Sequence, residues 1–139
     1  MSSPRPQAAD TSVPPLPPGH RLLAALGRDA RLSTARPADG VAVFAIRGEI
    51  DYRNSPQLQH ELRHATEDQP ARVVLDLVEM ISTDSSGVAT LLDAMTRVRR
   101  YGGVFRLVAP PQRVLAVMRI CQLTDVFEIR STEREAIET

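Results

Sequence analysis

The chain has 139 residues with 17 acidic and 17 basic side chains, enough for one domain with a real core and too few for two. A net charge of zero gives no electrostatic pull toward nucleic acid or an anionic membrane. Every basic residue is arginine, which excludes Schiff-base chemistry, a lysine general base, a P-loop lysine and a receiver-type aspartyl phosphorylation site with its lysine.

An arginine-only basic set suggests a GC-rich, bacterial coding sequence. The single cysteine, Cys121, permits neither an intrachain disulfide nor a multi-cysteine metal site. Its apolar setting, VLAVMRICQLTDVF, points to a packed, inert thiol. No apolar run reaches the length of a membrane span, and the N-terminus is proline-rich rather than basic and then apolar. The expected location is the cytoplasm, with no membrane and no nucleic-acid partner.

Residues 1–20, MSSPRPQAADTSVPPLPPGH, carry most of the prolines and few bulky apolar groups. Such a segment buries too little surface to offset its ordering entropy, so it reads as a disordered tail. Residues 21–30, RLLAALGRDA, suit a short helical lead-in, and the globular domain is expected over 31–139. RLSTARP (31–37) reads as a strand, ADG (38–40) as a turn and VAVFAIRGEI (41–50) as a buried strand. NSPQLQHELRHAT then shifts to helical spacing, with Ser55 as N-cap, Pro56 opening the helix and Leu58, Leu62 and Ala65 turned inward.

RVVLDLVEM (72–80) reads as a further core strand. From Ser85 to Tyr101, Val88, Leu91, Leu92, Met95 and Val98 share one helical face; Arg97, Arg99 and Arg100 complement its C-terminal dipole before Gly102. VFRLVA (104–109) is a strand, and Pro110-Pro111 opens a helix through about Cys121. VFEIR (126–130) is a last strand, and Ser131 or Thr132 caps a final turn with Glu135. Strands separated by single helices imply an α/β domain: a mixed, mostly parallel sheet of four to five strands with helices packed on one side.

Two motifs carry chemistry. In ISTDSSG (81–87), Asp84 falls at an N-cap position, Ser85 and Ser86 open the helix, and Gly87 leaves the backbone open to close approach. A hydroxyl there lies at the positive end of the helix dipole, where a phosphate is tolerated and adds a charge of roughly −1.5 to −2. The second motif, HELRH (60–64), matches H-E-x-x-H, with His60 and His64 as zinc ligands and Glu61 as general base. At about 100° per residue both imidazoles point about 160° from the inward Leu62, toward solvent. The remaining histidine, His20, lies in the proline-rich segment, so a third ligand is lacking. A zinc hydrolase is therefore the remote alternative, and the expectation is no metal, no cofactor and no enzyme activity.

GEID (48–51) before a helix, VVLDL (73–77), DSSG (84–87) and GGVFRLVAPPQRVLAVMRICQLTDVFEI (102–129) together resemble the STAS domain of anti-sigma-factor antagonists, from about Leu32 to Ile137. The resemblance implies that Ser85 accepts phosphate and that Asp51 lies near it. It implies a stress-type partner switch: the unphosphorylated chain binds an anti-sigma factor that is a serine kinase, freeing a sigma factor for transcription. Phosphorylation breaks the complex, and a PP2C-type phosphatase resets it. Asp51, Asp84, Ser86 and Gly87 would form the partner surface of a monomer or weak homodimer. A non-switching STAS scaffold subunit is the alternative. Two positions depart from the family pattern: Ser82-Thr83 stand where bulky apolar residues are usual, and Gln122 where a glycine ends the helix.

Overall fold

The computed structural model describes residues 14–27 and 29–139. Seven strands and four helices are present among them: β1 Arg21–Ala25, β2 Arg31–Ala38, β3 Val41–Ile50, α1 Ser55–Ala65, β4 Arg72–Asp76, β5 Met80–Thr83, α2 Ser85–Arg100, β6 Val104–Val108, α3 Gln112–Ile120, β7 Glu128–Arg130 and α4 Glu133–Glu138. The sheet runs β1-β2-β3-β4-β6-β7, with β5 paired to β3 beyond the end of β4. β1-β2 and β2-β3 are antiparallel; the other four pairings are parallel.

The central strand β3 is apolar on both faces because both are covered. Ala42, Phe44 and Ile46 join Val73, Leu75, Phe105 and Leu107 in the main core, beneath Leu58 and Leu62 of α1, Val88, Leu91, Met95 and Val98 of α2, and Val114 and Met118 of α3. The alternate residues Val43, Val74 and Val108 meet Ala136 of α4 on the opposite face. Three helices thus lie on the expected side, and the short C-terminal helix closes the other.

The α/β class holds, with a sheet larger than four to five strands. Residues 21–25 form strand β1 rather than a helical lead-in, because antiparallel pairing with β2 supplies backbone partners that a ten-residue isolated helix lacks. The expected strand 72–80 breaks after Asp76, whose Oδ1 accepts the Val78 amide at 3.1 Å, while the Met80 amide donates to the Leu77 carbonyl. The chain then re-pairs with β3 at Gly48 as β5. The last strand is shortened to 128–130. In α1 the N-cap is Asn54, not Ser55.

Of the expected disordered tail, residues 1–13 lie outside the described residues. Residues 14–20 pack on the domain: Arg31 donates to the Pro14 carbonyl at 2.6 Å, and the His20 side chain is fully buried. The C-terminal ends of α2 and α3 close by the same pair of bonds. After α2, the amides of Gly102 and Gly103 donate to the carbonyls of Arg99 and Val98; after α3, those of Gln122 and Leu123 donate to Arg119 and Met118. Gln122 therefore occupies the left-handed position, at φ 60°, that a glycine would fill without strain.

Candidate functional site: the Asp84–Ser85 loop

The site forms where the C-terminal ends of β3 and β5 meet the start of α2. Asp84 has extended backbone geometry and ends β5 by donating its amide to the Ile50 carbonyl at 3.3 Å. Its Oδ1 accepts the amides of Ser86 at 2.9 Å and Gly87 at 3.2 Å. Those are two of the four amides that a helix start leaves unpaired. Its Oδ2 accepts the Tyr52 amide at 3.0 Å, so one carboxylate ties α2 to the loop after β3.

Ser85 is the first residue of α2 and is exposed. Its hydroxyl makes no hydrogen bond to any described residue, whereas the Ser86 carbonyl accepts from the Thr90 hydroxyl. Gly87 is buried. A Cβ there would fall on Thr83 Oγ1 and 3.1 Å from the Ile50 carbonyl. The missing side chain leaves room for the Thr83 hydroxyl. Thr83 Oγ1 also donates to the Asp84 carbonyl at 3.2 Å. The polar residue before the aspartate thus fills the space that the glycine leaves.

Asp51 is not bonded to Ser85. Its Oδ1 accepts the Arg53 amide at 2.9 Å and its Oδ2 the Arg53 guanidinium at 2.7 Å. The hydrogen bond from the Arg53 side chain holds the carboxyl below the usual carboxylate range. Asn54 braces this turn: its Oδ1 accepts the Asp51 amide, and its Nδ2 donates to the carbonyls of Leu26 and Glu49. Gly48, at φ 95°, completes the seat, since a Cβ there would come within 2.9 Å of Ala30 Cα. A cavity of about 420 Å³ opens beside Asp51, between the β1–β2 turn and the start of α1; Ser85 does not line it. Ser85 is exposed outside this cavity.

Sequence reasoning missed Tyr52 and Asn54. Tyr52 is 70% exposed, beside the Asp84 carboxylate that holds its amide. An exposed aromatic directly after GEID is the signal that could have found it. HELRH, by contrast, brings only two imidazoles together. His60 and His64 are exposed, with ring centroids 6.4 Å apart, and His20 is occupied across the sheet by Ser33 and Glu133. Among the described residues no group of three or more histidine, cysteine or acidic side chains could hold a metal ion, and no helix is long and apolar enough to cross a membrane.

The STAS domain family matches residues 34–136, from β2 into α4 and through the whole loop just described. The chain belongs to the STAS domain family. An anti-sigma-B factor antagonist of Listeria monocytogenes is 26% identical over 100 residues, spanning 72% of this chain and 87% of that protein. Two solved structures of SpoIIAA share the fold. The unphosphorylated form has a TM-score of 0.67 at 22% identity, covering 77% of this chain and 93% of that one. The phosphorylated form, of the Bacillus cell-fate determinant, has a TM-score of 0.61 at 21% identity, covering 77% and 96%. The STAS fold here thus carries its exposed serine at a helix start, as DSSG suggests.

Proposed function

We propose that this STAS protein is an anti-sigma-factor antagonist whose contact with its partner is switched by phosphorylation of Ser85. The observation that carries the reading is a serine hydroxyl that is exposed, unbonded to any described residue and fixed at a helix N-terminus by the Asp84 cap. Unphosphorylated, the protein binds a kinase-type anti-sigma factor through Ser85, Ser86, Asp84 and the neighbouring Asp51–Tyr52 turn, and so frees a sigma factor. Tyr52 supplies the large apolar contact that such a surface needs. The protein acts by binding and does no catalysis of its own.

Asp84 already takes the Ser86 and Gly87 amides. A phosphate on Ser85 is stabilised by the dipole without those bonds and remains turned to solvent. It places a charge of roughly −1.5 to −2 beside the Asp84 carboxylate. The helix accepts this charge; a partner packed over the loop would have to desolvate it, and the complex dissociates. A PP2C-type phosphatase restores binding. Asp51 shapes the turn through its pairing with Arg53, and Gly87 acts from within by seating Thr83.

The test is phosphosite mapping by mass spectrometry after incubation with kinase-type anti-sigma factors and ATP. Phosphate on Ser85, and none on the Ser85→Ala variant, is expected. Stoichiometric phosphate on Ser86 alone would overturn the assignment.

A further inference from the structure

A second polar cluster lies on the far face of the sheet, away from Ser85. Ser33 of β2, Ala45 of β3, Asp76 of β4 and Val108 of β6 stand in register across that face. The His20 ring covers this row: its Nδ1 is 3.0 Å from the Ser33 hydroxyl, and its side chain is fully buried. His20 Nε2 lies 3.4 Å from Oε1 and 3.2 Å from Oε2 of Glu133, the first residue of α4. Asp76 is 7% exposed, on a strand packed against α4, and Glu133 is the side chain that acts most on its ionisation. Glu133 Oε2 is buried and, despite the 3.2 Å approach of His20 Nε2, is left without a hydrogen bond, the imidazole bonding Oε1 instead. A proton on Asp76 would supply one.

We propose that His20, Asp76 and Glu133 form a proton-operated latch, which holds the 14–20 segment and α4 on the far face in mildly acidic conditions and loosens as pH rises to neutral. Three elements meet in it: the segment before β1, strand β4 and helix α4. His20 lies outside the matched family span of residues 34–136. Opening it would uncover Val43, Val74 and Val108, which Ala136 of α4 now covers.

The surrounding charges do not neutralise the two carboxyls. Arg106 of β6 and Arg130 of β7 pair with Glu128, Arg72 of β4 and Arg106 donate to the Ala136 carbonyl of α4, and Arg31 of β2 donates to the Pro14 carbonyl. Arg47 of β3, cross-strand from Arg31, forms no ion pair among the described residues, and its buried Nε has no partner. Burial first, and then the bond with Glu133, pushes the Asp76 carboxyl up to about 7. Burial works against ionisation of Glu133 as well, but its bonds to His20 and Asp76 outweigh it and hold this carboxyl below its ordinary value. The sign follows from linkage. An acid whose proton is held more tightly in the closed form favours closure below its open-state pKa, and this preference is lost as pH climbs to the closed-form value.

The test is amide hydrogen exchange of the full chain between about pH 5 and pH 7, corrected for intrinsic base catalysis and normalised to α2. Protection of α4 and β1 should fall by at least about tenfold, since one coupled proton changes the opening equilibrium by up to tenfold per pH unit. In Asp76→Asn, which keeps shape and neutrality, the dependence should vanish; in Glu133→Gln it should shrink. Protection that is flat in the native chain, or equally pH-dependent in Asp76→Asn, overturns the latch. If Asp76→Asn does not fold, the Asp76 carboxyl carbon of the native chain decides: titration near pH 7 supports the latch, and titration in the ordinary aspartate range overturns it.

Discussion

Replacing Gly87 by alanine separates two opposite expectations. Gly87 is the third residue of α2, and in an unobstructed helix alanine is favoured over glycine by up to about 1 kcal/mol. Here the added methyl falls on Thr83 Oγ1, with the Ile50 carbonyl 3.1 Å away on its other side. Thr83 can turn aside only by giving up its bond to the Asp84 carbonyl. Overpacking of this kind costs about 1–3 kcal/mol, so the net effect should be a loss of about 0–2 kcal/mol. In a Thr83→Ala background the main obstruction is gone and only the Ile50 contact remains. The same substitution should then be neutral or mildly stabilising, a coupling of about 1–2 kcal/mol. Urea denaturation of the four proteins in the cycle measures this directly. Gly87→Ala that stabilises the native chain by about 1 kcal/mol, or a cycle that closes additively, would refute the fit described for the loop.

Asp84→Ala removes the cap on two amides and the tie to Tyr52. It should cost about 2 kcal/mol in denaturant unfolding, whereas Asp84→Asn, whose Oδ1 still caps both amides and which gives up only the Tyr52 tie, should lose less than half of that. Gln122→Gly relieves a left-handed residue without touching the two closing bonds of α3, and should stabilise by about 0.5–1 kcal/mol, read as a rise in the urea midpoint at unchanged slope. Gly48→Ala combines a positive φ with a backbone neighbour 2.9 Å from the new Cβ. It should cost about 2–5 kcal/mol in the same assay and expose the β1–β2 turn to proteolysis.

Legibility in the sequence followed the range of the signal. The core strands 41–50 and 104–108 and helix α2 could be read because their apolar spacing repeats over many residues. Strand β1 could not, because RLLAA fits either period and is decided by pairing with β2. The break after Asp76 escaped for a related reason. VVLDLVEM is apolar but for Asp76 and Glu79, and the Asp76 side chain ends the strand by accepting the Val78 amide. At the site, Asp84 and Ser85 were legible from local capping chemistry. The role of Gly87 was not, since its neighbour Thr83 precedes the helix and is brought against it only by the turn at Asp84. His20 was misplaced in a tail because burial of a lone histidine depends on Ser33 and Glu133, residues 13 and 113 positions away.

The central claim is that the charge on Ser85 governs partner binding. Titration calorimetry with a kinase-type anti-sigma factor, using the chain phosphorylated at Ser85 and the unphosphorylated chain, tests it most directly. Phosphorylation should weaken binding by at least about tenfold, or about 1.4 kcal/mol, with Ser85→Glu shifted in the same direction and Ser85→Ala unchanged. Equal affinity of the two forms for a partner that binds the unphosphorylated chain would contradict the switch.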